Sequence, residues 1–533
     1  MCIAAQPHDE TGGDEVAIPG RPHGFPLLGR IFALSFKSYA PIFARSIGSN
    51  RDSFGKSLSN LGLRFMHDSP GVFTLVSIAG SSSHRRRVVE PPSVNQETVM
   101  NANFSRSIRS FDRHAAFAGL FLCGVLSCAQ NAFADAVTDW NEIAAGAVTV
   151  GRPGPTGPVD LALVQVAVHD AVQAIDRRFE PYYAEVPRAH GSRAAAAAAA
   201  AHGVLVGFYP TQAATLDATY FNYLADKGLT GNPGLEVGAK VAAAILPLRR
   251  LDPDPLPAPF TGRTGIGEWR PTDSLLGNPP IPPPFSPMAA PWLATFKPLT
   301  LTGPARFRAP PPPAVTSDRY TRDYNEVRAL GSLNSTQRTA GQTDLAYFYT
   351  ENFVTQWNRA LRGIAASRLH KIGDSARLFA LANLATADAL ITAWDSKKFY
   401  NFWRPITAIR EGENDGNPAT AGDLSWQPLI NTPNYPDYTS GANNVTGAMT
   451  RTLALFFHRD RMTFQVTSLA PLAVKKTRTY ERLSDAAQDV VDARVYLGIH
   501  FRFADTAART QGKQVAEWTF SHFLRPLESD DAQ

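Results

Sequence analysis

Residues 397–405 read KKFYNFWRP, and two later stretches, PDYTSGANN (436–444) and ARVYLGIH (493–500), extend the same chemistry. Lys397 and Arg404 are seven apart. Seven residues span nearly two helical turns, so on a continuous helix both side chains emerge on one face. Pro405 is expected to end that helix and to set where Arg404 points. A basic pair so spaced is ordinarily a solvated helix face. Here Phe399, Tyr400, Phe402 and Trp403 fill the positions between them, and cations set among aromatics argue for a binding role.

Ser440-Gly441 follows the proline-punctuated loop TPNYPDYT and precedes a helical run, Asn444–Phe457. A Ser-Gly pair at a helix start offers a hydroxyl and free backbone amides, with the positive end of the helix dipole behind them. Taken alone, Ser440 reads as an N-cap. Arg494 lies late in a helical stretch, Asp485–Leu497, and His500 follows six residues later. Six steps turn a straight helix by about 240°, so the two would face apart unless the helix stopped. Gly498 is where it can stop, returning His500 to the side of Arg494. A single histidine is as readily a packed core residue as a ligand. Together the three stretches supply two guanidinium groups, an ammonium, a hydroxyl, a helix-start amide and an imidazole. Arg forks and a Lys ammonium both favour phosphate-like oxygens.

The chain has 533 residues, 44% hydrophobic and 19% charged, with a formal charge of +5. That composition suits a large globular core. Residues 1–134 hold 13 of the 52 Lys+Arg and 9 of the 47 Asp+Glu, which leaves 39 against 38 for the remainder. The excess of base lies in the N-terminal segment, so no nucleic acid partner is expected. Within that segment Arg106, Arg109 and Arg113 precede an apolar run, Ala115–Leu126, and then Ala132-Phe133-Ala134. Basic start, short apolar centre and small-x-small end make residues 100–134 a signal peptide cut near Ala134. The apolar centre is too short to span a bilayer comfortably, so no stable membrane span is expected in the mature chain. Met100 stands at a natural starting distance, which makes residues 1–99 a non-native or disordered extension. Cys2, Cys123 and Cys128 all precede the cut. The mature chain is therefore expected to be cysteine-free and periplasmic or secreted.

From Asp135 the periodicity is helical. Val159–Ile175, Ala194–Phe208, Ala239–Leu248 and Arg377–Thr392 carry it most clearly. Residues 251–315 interrupt it with PDPLPAP, NPPIPPPF and APPPPAV, a crossover expected to run over the surface. It divides an N-terminal helical half, 135–250, from a C-terminal half, 316–533, which holds all three motif stretches. The fold expected is all-α, built of helical bundles.

At the motif level the chain resembles the superfamily of vanadium-dependent haloperoxidases and type 2 phosphatidic acid phosphatases, in its bacterial haloperoxidase-like branch. The signature there is Lys-x6-Arg-Pro, Pro-Ser-Gly-His and Ser-Arg-x5-His. This chain has Lys397-x6-Arg404-Pro405, Thr439-Ser440-Gly441-Ala442 and Ala493-Arg494-x5-His500. Trp394 and Tyr435 resemble the aromatic residues that wall the halide pocket, and the likeness covers most of residues 136–525. It implies bound vanadate, or phosphate in the same pocket. Lys397, Arg404 and Arg494 would neutralise the oxygens, Ser440 and the Gly441 amide would donate to them, and His500 would ligate vanadium. The substrates implied are hydrogen peroxide with a halide, or a phosphate ester for which His500 is the nucleophile. Relatives of this kind suggest a homodimer. A non-catalytic oxyanion-binding protein is the third reading, because Ala442 stands where the family has its acid–base histidine. Loss of such a group costs 10²–10⁴-fold in rate. Asn443 or Asn444 is the nearest hydrogen-bond donor to that gap, although an amide cannot shuttle protons.

Overall fold

A computed structural model describes residues 135–152, 154–248, 258–272 and 286–527, and the backbone of 63–69 and 72–77. The leader, its cleavage site, all three cysteines and part of the proline-rich segment fall outside the described residues. In the N-terminal unit, strands β1 (Leu63–Ser69) and β2 (Val72–Ser77) pair antiparallel, with Leu63 opposite Ser77.

The second unit is helical. Helices α1 (Ala136–Gly151), α2 (Gly157–Asp176), α3 (Arg193–Phe208), α4 (Ala213–Asp226) and α5 (Gly234–Ile245) form its first part. Then come α6 (Asp318–Leu330), α7 (Ala340–Phe348), α8 (Phe353–Arg368), α9 (Ile372–Tyr400), α10 (Pro405–Arg410) and α11 (Gly441–Phe456). A hairpin of β3 (Arg461–Thr467) and β4 (Thr477–Arg482) precedes α12 (Leu483–Tyr496) and α13 (Arg502–His522). The all-α, bundle-type reading holds. The hairpin was not anticipated, although Met462, Phe464 and Val466 alternate inward along β3, the period expected of a half-buried strand.

Helices α2 and α9 are buried almost all round, and one apolar cluster runs from α1–α5 through α9 to α11 and α12. The two helical halves therefore share a core. By length and composition α9 is apolar enough to cross a membrane, but 94% of its apolar window is buried inside the protein. Two buried carboxylates fasten loops to these central helices. Asp170 accepts the amides of Tyr182, Tyr183 and Ala184 at 2.7–2.9 Å. Asp388 accepts those of Leu299, Thr300 and Leu301 at 2.6–3.2 Å.

The described part of the proline-rich segment is less superficial than its composition implies. Trp269, Met288 and Leu293 are buried in the main core. The Trp269 amide donates to Asn401 O, and the Trp403 amide donates to Gly267 O. Arg308 forks onto Asp395 of α9 with two bonds of 2.7 Å. Proline removes amide donors from such a segment, and these polar contacts are among those that hold it against the C-terminal half.

Candidate functional site: a buried cluster of basic side chains

Lys397 and Arg404 do not share a helix. Helix α9 ends at Tyr400, where Asn401 turns left-handed with φ 47°, a conformation asparagine tolerates better than most residues. The next three residues run extended, bridged to Glu268 through Phe402. Arg404 is itself extended, and Pro405 opens α10 as its first residue rather than closing α9, the position where a missing amide costs nothing. Lys397 therefore enters the site from the last turn of one helix and Arg404 from just before the next.

The loop before α11 supplies the opposite wall. Both Lys397 and Arg404 are fully buried. Lys397 Nζ donates to Pro436 O at 2.6 Å and Asp437 O at 3.0 Å, and lies 4.9 Å from the Tyr435 ring. Arg404 donates from Nε to Tyr435 O at 2.8 Å and from Nη1 to Ile499 O. The Trp394 and Tyr435 rings are 5.0 Å apart, and Trp394 anchors its indole on Ala289 O at 3.0 Å. Burial, with Arg404 beside it, pushes the Lys397 pKa well below its ordinary value.

Helix α12 ends at Tyr496, and Gly498 adopts φ 77°, so the helix does stop where the glycine allows. That reversal returns His500 to Arg404, whose Nη1 lies 3.2 Å from Nε2 and 3.4 Å from Nδ1. His500 Nδ1 is 2.6 Å from Asp437 Oδ1. Burial and the cations Arg404, Lys397 and Arg494 push the His500 pKa well below its ordinary value, so the ring is neutral. Arg494 is buried and reaches Tyr349 O only at 3.5 Å.

Ser440 is the N-cap of α11 by position, yet its side chain caps nothing. Its hydroxyl sits near enough to Asp505 to lower that carboxyl's pKa, but it completes no hydrogen bond of normal geometry. The first turn of α11 and the middle of α13 approach closely. A Cβ on Gly512 would lie 2.1 Å from Asn444 O, so only glycine allows the two helices this close. Gly441 packs under Trp394. Ala442 is only partly buried. The two asparagines after it do not face the gap it leaves. Asn443 donates to Asp505 Oδ1 at 2.8 Å, and Asn444 donates to Thr439 Oγ1 at 2.9 Å.

Two carboxylates complete the pocket, and motif reading missed both. Asp437 ties the three stretches together: its carbonyl takes Lys397, its carboxylate meets His500, and Arg404 Nη1 lies 3.8 Å away. Burial pushes Asp437 up to about 8, against the pull of Arg404 and Lys397. Burial pushes Asp505 up to about 7, with Ser440 and Arg494 opposing. Neither carries a chain-local signal beyond its place beside a motif.

Residues 377–529 match the VCPO second helical-bundle domain, a span that contains every motif residue above. Over 295 residues the chain is 27% identical to the vanadium chloroperoxidase of Curvularia inaequalis. The chain is related to the vanadium haloperoxidases. That match covers 42% of this chain, which spans about half (48%) of the curated relative's length. A bacterial vanadium-dependent iodoperoxidase superposes with a TM-score of 0.61 at 22% identity, over 74% of this chain and 98% of its own. A holo-type bacterial vanadium-dependent chloroperoxidase gives 0.57 at 19% identity, over 70% and 93%. These likenesses establish a haloperoxidase fold across the helical unit.

The donor set is of a kind that suits an anion with several oxygens. Arg404 Nη2, Arg494 Nε and Ser440 Oγ are buried without a hydrogen bond of normal geometry, as are the carboxyl oxygens Asp437 Oδ2 and Asp505 Oδ2, and Lys397 has a third N–H to give. Buried donors left unsatisfied are costly, and the oxygens of an anion are acceptors suited to them. Among the described residues no His/Cys/Asp/Glu cluster could hold a metal cation. The pocket's surplus of cationic donors suits an anion instead.

Proposed function

We propose that Lys397, Arg404, Arg494, Ser440 and the Gly441 amide bind vanadate, with His500 as its protein ligand. The protein is then a vanadium-dependent haloperoxidase-like oxidoreductase whose turnover is limited by Ala442. The observation that carries this is the set of unpartnered buried donors around a neutral, oriented imidazole. Vanadate bound there would supply the electrophilic centre that activates hydrogen peroxide towards a halide.

The chain's own residues have distinct parts. Lys397, fixed by two carbonyls, directs its remaining N–H at the anion. Arg404 and Arg494 neutralise charge in a site where burial strengthens each interaction. Trp394 and Tyr435 wall the pocket and exclude water. What the pocket lacks is a proton carrier at position 442. Peroxide- and bromide-dependent halogenation of a phenol indicator, with and without added vanadate, is the test. Vanadate-dependent product is expected, and its absence at saturating vanadate counts against the haloperoxidase reading.

A soluble phosphatase on the same scaffold is favoured by one contact, the carboxylate of Asp437 on His500 Nδ1, since such a pairing activates an imidazole nucleophile. Hydrolysis of an aryl phosphate by protein free of vanadate identifies that activity. Export rests on the leader-like residues 100–134. Mature protein beginning at Asp135 in a periplasmic or culture fraction supports it, and unprocessed cytoplasmic protein contradicts it.

A further inference from the structure

Asp437 is a residue that the three-stretch signature leaves out, and its contacts exceed those of an ordinary loop aspartate. It is fully buried. Its amide donates to Phe402 O at 2.9 Å, which fastens it to the extended segment leading to Arg404. Its carbonyl accepts Lys397 at 3.0 Å, and its Oδ1 lies 2.6 Å from His500 Nδ1. A single side chain thus touches the histidine on which any anion chemistry depends.

The proton on His500 follows from what surrounds the ring. A neutral imidazole has one N–H and one lone pair. Arg404 Nη1 can only donate, and it lies nearer Nε2, at 3.2 Å, than Nδ1, at 3.4 Å. The lone pair is accommodated at Nε2, and the N–H then points from Nδ1 to Oδ1 of Asp437, which accepts it while any proton of the carboxyl itself sits on Oδ2. The reverse arrangement would set an Nε2–H against a guanidinium that has no acceptor to offer.

We propose that Asp437 is the positioning residue of His500: it accepts the Nδ1–H, fixes the ring in one tautomer and presents Nε2 to the bound oxyanion. This rests on the oxyanion reading of the pocket and adds to it the residue that decides which nitrogen serves. Partners of this sort on a ligating histidine change metal affinity by 10–100-fold. The carboxylate also lies 3.8 Å from Arg404 Nη1, so the tautomer of the ring, which a loss of charge alone would not move, is the readout that separates positioning from electrostatics.

The test uses the full chain labelled with 15N-histidine. Long-range 15N–1H correlation assigns His500 among 12 histidines by its loss in His500→Gln. Wild type is expected to show the Nδ1–H tautomer. Asp437→Asn, whose amide can donate to Nδ1, is expected to shift the ring to Nε2–H and to weaken orthovanadate binding 10–100-fold by calorimetry. Asp437→Glu is expected to restore both in part. An Nε2–H tautomer in wild type overturns the proposal, as does a variant with unchanged tautomer and unchanged affinity. If Asp437→Asn does not fold, the wild-type tautomer and the Glu variant decide the matter. A wild type with the expected tautomer but no vanadate binding sinks the oxyanion reading and leaves the positioning role standing.

Discussion

Position 442 holds an alanine where the proposed haloperoxidase reading calls for an acid–base histidine. Its neighbours leave room, because Ala442 is partly exposed at the second position of α11, and Asn443 and Asn444 are committed elsewhere. Ala442→His is expected to raise turnover 10²–10⁴-fold in the halogenation assay, the usual worth of a positioned acid–base group. A rise below tenfold would show that something besides the proton carrier is missing. Asp505 permits a second prediction. Its folded pKa, about 7, is raised from an ordinary value of 3.8 by burial. The folded protein therefore holds a proton there that the unfolded chain gives up from about pH 4, so this contribution to stability is present below pH 4 and is lost as pH rises to 7. Relative to Asp505→Asn, wild type should lose up to about 1.4 kcal/mol per pH unit across that range. Denaturant titrations at pH 5 and pH 7 measure the difference, and a pH-independent gap contradicts it. At this scale the sequence was informative where residue types recur at fixed spacing, as with Lys397, Arg404, Arg494 and His500. Asp437 and Asp505 were illegible because their partners are distant in the chain and a lone aspartate has no period.

Helix interiors were easier to read than helix ends. The apolar spacing of Val159–Ile175 and Arg377–Thr392 places both inside real helices. The same logic misread 397–405, where Asn401 ends α9 and Pro405 begins α10. A proline is compatible with either end of a helix, and only the left-handed asparagine distinguishes them. Gly498 was read correctly because no other residue in ARVYLGIH takes a positive φ without strain. A Cβ there would fall 2.3 Å from Gly331 O. Gly498→Ala is expected to cost at least 1–3 kcal/mol and to displace His500 from Asp437 and Arg404. Denaturant unfolding together with loss of vanadate binding would show both effects, and a variant of wild-type stability would contradict the first.

Across the whole helical unit, the proline-rich segment shows what composition conceals. Proline content excluded a helix there, but it did not reveal that Trp269, Met288 and Leu293 enter the core or that Arg308 grips α9. Burial of this kind comes from three-dimensional packing, which no local pattern records. The same buried architecture isolates the pocket, so a bound anion should stabilise the entire unit by linkage. Vanadate at a hundred times its Kd should add about 2.7 kcal/mol, visible as a raised Tm, and an unmoved Tm at that excess would contradict specific binding. The most direct test follows from Ser440, whose buried hydroxyl lies near Asp505 but completes no hydrogen bond of normal geometry within the fold. Orthovanadate is titrated calorimetrically into wild type and Ser440→Ala. The account predicts one site per chain in wild type. In the variant it predicts a retained fold and an affinity about tenfold or more weaker, the worth of a hydrogen bond to a charged group. No binding to wild type, or identical affinity in the two proteins, would contradict the oxyanion pocket itself.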